Sequence, residues 1–236
     1  MSLQIKGFIE TSFLDWDGKV VSTLYVAGCS FRCPFCHNSG LLFTPEKYEL
    51  VPWEKIAAFL LERRDFIDGI CLTGGEPCLH QENGLFEFLR QIKKLGFQIK
   101  LDSNGYQPEC LEKIIAEKLV DYVAMDLKGP LDKRYDQLSG VKTDLSKIRS
   151  SLAIIQRSGL DYEFRTTVVP TLLYNGEIEA MAEEIKGAKK FVLQQFVPDH
   201  CLSGSLREIK PYSREKFVEL AELAKKFVPN TCLRGV

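Results

Sequence analysis

Short apolar runs alternate with longer amphipathic stretches along most of the chain. The β-rich runs fall at 20–27, 69–73, 97–101, 122–126, 162–169 and 190–196, and helix-like segments at 53–64, 85–95, 108–118, 145–157, 176–186 and 214–227. The last segment shows the periodicity plainly: Phe217, Leu220, Ala221, Ala224 and Phe227 recur at spacings of three and four and line one helix face. Strand followed by helix, six times over, predicts consecutive βα units around a mostly parallel sheet. Asp17-Gly18 between two apolar runs predicts a hairpin turn feeding the first of these strands. The expected architecture is therefore a single α/β domain over 1–236, with a hairpin extension over 1–19 and an incomplete (β/α)6 barrel over 20–236. Eight full units normally take about 250 residues, and six are visible.

Polar residues collect where each predicted strand stops: Cys29, then Thr73 to Glu76, Asp102 to Asn104, Asp126 with Lys128, Arg165 with Thr167, and Gln194 with Gln195. In parallel α/β architectures those positions converge on one mouth, where active sites form. Polar strand ends also arise simply because strands surface, but six in succession favour a shared site. Arg165 points into the mouth if Phe164 and Thr166 point away from it.

Composition narrows the setting. The 31 basic and 32 acidic residues nearly cancel, and no block of five like charges occurs, so a nucleic-acid partner held by electrostatics is not expected. The longest uninterrupted apolar run is Ile56 to Leu61, far short of the roughly eighteen residues of a membrane span. No membrane partner is expected either. Eight cysteines in 236 residues are too sparse for a disulfide scaffold, and MSLQIKGFIE has no apolar signal region, which points to a reducing cytoplasm.

Cys29, Cys33 and Cys36 lie in GCSFRCPFCHN, a C-x3-C-x2-C run directly after the first strand of the βα series. A loop this tight can wrap three thiolates around one metal centre, as they do at iron–sulfur clusters. With no fourth cysteine at matching spacing, a [4Fe-4S] cluster would keep one iron open to a cofactor or substrate. Structural zinc is the competing reading, but it wants four ligands, and His37 stands too near Cys36 to be a comfortable fourth. Cys71, Cys78, Cys110, Cys201 and Cys232 show no close spacing; Cys71 reads as a small core residue, while Cys78 and Cys201 could meet near the mouth.

This cysteine run, with Phe35 just before its third thiol, resembles the signature of the radical S-adenosylmethionine superfamily. Thr73-Gly74-Gly75-Glu76-Pro77 resembles that superfamily's second motif. Cys36-His37-Asn38, Asp102-Ser103-Asn104-Gly105 and Asp126-Leu127-Lys128 are similar to the activases of glycyl radical enzymes. Ile5-Lys6-Gly7-Phe8, with Asp15 and Gly18, looks most like the activating proteins of anaerobic ribonucleotide reductase. The resemblance implies an enzyme with one [4Fe-4S] cluster on Cys29, Cys33 and Cys36, because this chain lacks the cysteine-rich insert that many activases carry between the first two motifs. It further implies reductive cleavage of S-adenosylmethionine to a 5′-deoxyadenosyl radical, which takes a hydrogen atom from a glycine of a partner enzyme.

The same resemblance assigns cofactor contacts. Gly74 and Gly75 would let the backbone come close, Glu76 would pair with the cofactor's ammonium group, and Phe35 would lie against the adenine. Asp102 and Ser103 with the Met125 main chain match positions that hold a monovalent cation, although Asp-Ser before Asn-Gly is also plain turn chemistry. Asp126 and Lys128 are expected at the ribose and carboxylate or the glycine loop, with a structural ion pair as the alternative. Arg165 is a candidate for the cofactor carboxylate and His200 for a further cofactor contact. His37 is expected to brace the cluster loop and His80 to lie on the surface. The expected partners are anaerobic ribonucleotide reductase and an electron donor such as flavodoxin or ferredoxin. A pyruvate formate-lyase-type target, or a small-molecule radical synthase such as 7-carboxy-7-deazaguanine synthase, is the alternative; that last group typically shows Cys-Asp after the third cysteine, where this chain has His37-Asn38.

Overall fold

The computed structural model describes residues 3–236. By its internal packing the chain forms two compact units, Met1–Ser30 with Gly40–Val123, and Phe31–Ser39 with Ala124–Val236.

The first unit carries β1 (Ile5–Ser12), β2 (Val21–Val26), most of α1 (Ser39–Phe43), α2 (Trp53–Glu62), β3 (Gly69–Gly74), α3 (Leu85–Lys94), β4 (Gln98–Ser103), α4 (Pro108–Ala116) and the start of β5 (Tyr122–Asp126). β1 runs antiparallel to β2, and the connection between them turns at Gly18, whose φ of +77° suits a residue without a side chain. β2, β3 and β4 are parallel, with Leu24 beside Leu72 and Leu72 beside Leu101. α3 buries Leu85, Phe88, Leu89 and Ile92, the three-and-four spacing of an apolar face, and ends on Lys93 and Lys94, which complement the negative end of its dipole. α4 opens with Pro108 at a position that needs no amide donor.

The second unit carries the end of β5, then α5 (Tyr135–Ser139), α6 (Leu145–Arg157), β6 (Asp161–Val168), α7 (Asn175–Glu184), β7 (Phe191–Gln195), α8 (Arg214–Lys225) and β8 (Thr231–Arg234). Asp144 caps α6 by accepting from Ser146 N, and Ser213 caps α8 by accepting from Lys216 N. β6, β7 and β8 are parallel, with Phe164 beside Phe191 and Phe191 beside Thr231. Tyr162, Phe164, Thr166 and Val168 form a wholly buried face of β6, and Glu163 on the other face is buried too. The opposite face presents Glu163, Arg165 and Thr167, as the alternation predicts.

Within the first unit β1 to β4 stand side by side in chain order, and within the second β6 to β8 do so. All six expected strands and all six expected helices form. β8 is an addition to the expected count of six parallel strands: it has only four residues, of which Thr231 alone is buried, so it carries no apolar alternation to read. Among the described residues no helix is long and apolar enough to cross a membrane.

Phe164 is fully buried, and its ring centroid lies 5.2 Å from that of Tyr162. Phe164→Ala is expected to cost about 3–5 kcal/mol, read as a lower denaturant midpoint at unchanged slope.

Candidate active site

In the first unit, the turn after β3 is stitched to the end of β2. Gly75 N donates to Val26 O at 2.8 Å, and Glu76 N donates to Gly28 O at 2.8 Å. The approach is too close for side chains: a Cβ on Gly75 would stand 1.8 Å from Gly28 O, and one on Gly74, whose φ is +111°, 2.6 Å from Val26 N. The two glycines are thus required by the protein's own backbone, leading into the loop that begins with Cys29. His80, expected on the surface, is half-buried and bonds through Nε2 to Ala27 O at 2.7 Å.

Glu76 is fully buried. Its Oε1 accepts from Cys78 N at 3.0 Å and Ser103 Oγ at 2.9 Å, and its Oε2 accepts from Asn104 N at 2.6 Å. The carboxylate expected to meet a ligand's ammonium group also fastens the turn after β3 to the turn after β4. Ser103 Oγ also accepts from Gly105 N, so this hydroxyl likewise serves the turn.

Asp102, at the end of β4, is half-buried. The Lys100 ammonium, whose residue is 2% exposed, forms an ion pair with its Oδ1, and Thr73 Oγ1 donates to Oδ2 at 3.5 Å. Cys71 Sγ lies 3.7 Å from both Lys100 Nζ and Asp102 Oδ1. Burial, followed by Asp15, Cys71 and Asp102, pushes the Tyr25 phenol up to about 12. Cys78 is fully buried; a hydrogen bond to the Cys110 thiol and burial raise its thiol well above the ordinary range. Its fixed neighbour is Cys110, a pairing that the sequence spacing does not reveal.

Asn104 was not singled out by sequence reasoning, although it sits inside a motif that was. Its Nδ2 donates to Cys29 Sγ at 3.5 Å and to Ser30 Oγ at 3.0 Å, while its Oδ1 accepts from Tyr106 N at 2.9 Å. It thus meets a cluster-motif thiol within this unit.

In the second unit, Cys36 N donates to Cys33 O at 3.0 Å, which makes the C-x2-C segment a tight turn. That turn is held on several sides. Arg32 N donates to Ser139 O in α5 at 2.7 Å, Ser203 N donates to Pro34 O at 2.8 Å, and His37 Nε2 bonds to Val197 O at 2.8 Å. His37 therefore braces the loop. Phe35 is 6% exposed, with Lys128 Nζ 6.0 Å from its ring centre.

Asp126 sits between two cations, accepting from Arg165 Nε at 2.7 Å and Lys128 Nζ at 3.0 Å. Burial opposes its ionisation, but Arg165 and Lys128 outweigh that and hold the carboxyl below the ordinary carboxylate range. Burial would likewise lower Lys128, yet Asp126 and then Cys33 raise it above the ordinary range. Met125 is fully buried on the same strand. Gln195, at the end of β7, donates to Tyr212 O at 2.8 Å while its Oε1 is buried without a hydrogen-bond partner. His200 is exposed, with φ of +62°, and is not brought against any of these groups within its unit.

Among the described residues no three His, Cys, Asp or Glu side chains stand close enough to hold a bare metal ion. A cubane cluster spaces its thiolates wider than a single ion does. Three thiols at C-x3-C-x2-C spacing are a donor set whose chemistry suits an iron–sulfur cluster, and within the first unit Cys29 carries an N–H donor.

Gly75→Ala is expected to destabilise the chain by about 1–3 kcal/mol through overpacking against Gly28. Gly176→Ala, where a Cβ meets nothing within 4 Å, is the control and is expected to be neutral or slightly stabilising in the same denaturant titration.

Comparison with known proteins matches residues 23–188 to the Radical SAM superfamily. A Methanocaldococcus jannaschii protein, whose name carries only a proposed role as a glycyl-radical enzyme activating enzyme, is 31% identical over 100% of this chain and 98% of its own length. The pyruvate formate-lyase-activating enzyme of Clostridium pasteurianum is 27% identical over 90% of this chain and 93% of its own length. Among solved structures, a domain of the pyruvate-formate lyase-activating enzyme from Bacteroides vulgatus shares the fold, with a TM-score of 0.58 and 17% identity over 71% of this chain and 99% of that one. The α/β architecture with its parallel-rich sheet is thus that of the partial TIM barrels of this group. The chain belongs to the radical SAM superfamily, whose enzymes work with S-adenosylmethionine and a [4Fe-4S] cluster, and within it is homologous to the glycyl-radical enzyme activating enzymes.

Proposed function

We propose that this enzyme installs a glycyl radical on a partner enzyme, anaerobic ribonucleotide reductase. The observation that carries the reading is the full-length similarity to a protein named for glycyl-radical enzyme activation, in a chain that also has the Ile5-Lys6-Gly7-Phe8 opening. When bound, the cluster and S-adenosylmethionine supply a one-electron cleavage of a carbon–sulfur bond and a radical able to abstract hydrogen. Cys29, Cys33 and Cys36 are the cluster ligands in this reading. Gly74 and Gly75 would let the backbone come close to the cofactor, and Glu76, which also braces the turn, would pair with its ammonium group. Phe35 offers an apolar face, and Lys128 and Arg165, already ordered by Asp126, offer positive charge to a carboxylate. His200, exposed in the second unit, is a further candidate contact to the cofactor in this reading.

Asp102, Ser103 and Met125 need no external cation in this reading, because the Lys100 ammonium already lies against Asp102. A cytoplasmic, anoxic setting and a flavodoxin or ferredoxin as electron donor accompany the reading. The similarity to the Clostridium pasteurianum enzyme favours a pyruvate formate-lyase-like target as the second candidate.

The test is to reconstitute the protein under nitrogen, add S-adenosylmethionine, a reductant and each candidate partner, and record electron paramagnetic resonance spectra. A glycyl radical signal is expected on the reductase; cleavage of S-adenosylmethionine with no signal on either partner overturns the activase reading. Cys33→Ser is expected to take the iron from about four per chain to a small residue and to abolish cleavage. Wild-type cleavage is expected to be unchanged when potassium and sodium are replaced by a bulky organic cation. Lys100→Met, which strips Asp102 of its buried partner, is expected to make cleavage depend on them.

A further inference from the structure

Asn104 is 5% exposed and held from both ends. Its backbone N–H is bound by the buried Glu76 carboxylate at 2.6 Å, and its side-chain oxygen takes the Tyr106 N–H at 2.9 Å. That second bond decides which end of the amide faces which way. Oδ1 is committed to the turn, so Nδ2 is directed at Ser30 Oγ and, at 3.5 Å, at Cys29 Sγ. An N–H aimed at a thiolate sulfur withdraws electron density from it. At an iron–sulfur centre this favours the more electron-rich, reduced state and so raises the reduction potential, and it also fixes the orientation of the ligand.

We propose that Asn104 is a positioning residue for the cluster, holding Cys29 for ligation and raising the cluster's potential through an N–H···S hydrogen bond. The proposal rests on the reading of Cys29 as a cluster ligand. The chain of contacts runs from the Glu76 carboxylate through the Asn104 turn to the Cys29 sulfur, so the second family motif would act on the cluster by way of Asn104 as well as on the cofactor.

Two substitutions separate this role from simple turn formation. Asn104→Asp keeps the oxygen that Tyr106 N–H needs and replaces the donor by a carboxylate oxygen facing the sulfur. Asn104→Ser keeps a short turn-forming side chain that does not reach it. Wild type and both variants are reconstituted anaerobically, assayed for iron, sulfide and melting temperature, and titrated for the midpoint potential by electron paramagnetic resonance. Both variants are expected to show a more negative midpoint than wild type, Asp more so than Ser, with cleavage of S-adenosylmethionine slower by about 10-fold. Loss of iron from a variant that melts like wild type supports the same contact. Full iron with a wild-type midpoint in both variants overturns the proposal alone, whereas a wild-type chain that takes up no iron overturns the cluster assignment with it. A reading free of substitutions comes from wild type labelled with 15N in its asparagine side chains: pulsed resonance on the reduced cluster is expected to show a coupled amide nitrogen, and its absence overturns the proposal even if neither variant folds.

Discussion

A carboxylate withdrawn from water must be met by donors, and in the first unit Glu76 is that carboxylate. Fully buried, it collects the N–H groups of Cys78 and Asn104 and the hydroxyl of Ser103. Hydrogen bonds to a charged group contribute about 1.5–3 kcal/mol each, and a buried charge without partners costs several times that. The two turns it joins are therefore coupled: the Gly74-Gly75 turn packs on Val26 and Gly28, and the Ser103-Asn104 turn places an amide on Cys29. A change at Glu76 would be felt at every one of these positions.

The other interior carboxylates follow the same logic with cations in place of amides. Asp102 has Lys100, and Asp126 has Lys128 and Arg165. Glu163, 2% exposed by its side chain, is met by Arg234 and Lys190. In low dielectric such groups are costly alone and stabilising only when complete. At the ends of β4 and β5, Asp102 and Asp126 are consequently held in charge pairs within their units. Asp126 thereby keeps Lys128 charged and holds both Lys128 and Arg165 in fixed orientations.

Much of the fold was legible because burial leaves a periodic trace. α6 and β5 occupy the stretches that apolar spacing marks, and α8 buries Phe217, Leu220, Ala221 and Ala224 as its stripe predicts. The elements that escaped have no such trace. α1 and α5 are five residues long, barely more than one turn, and β8 takes its place through hydrogen bonds to β7 rather than through an apolar face. His80 and the Cys78–Cys110 contact escaped for another reason, since each depends on a partner far along the chain.

The sequence by itself determined the order of the βα units and the three-thiol spacing of Cys29, Cys33 and Cys36, because both are properties of neighbouring residues on one chain. Only the tertiary structure decided what each polar side chain does. Glu76 meets Ser103 across 27 residues, and Asn104 meets Cys29 across 75. Those encounters exist only after β2, β3 and β4 have paired in register and brought their turns side by side. Local spacing selects which groups are available; the pairing of strands selects which of them touch.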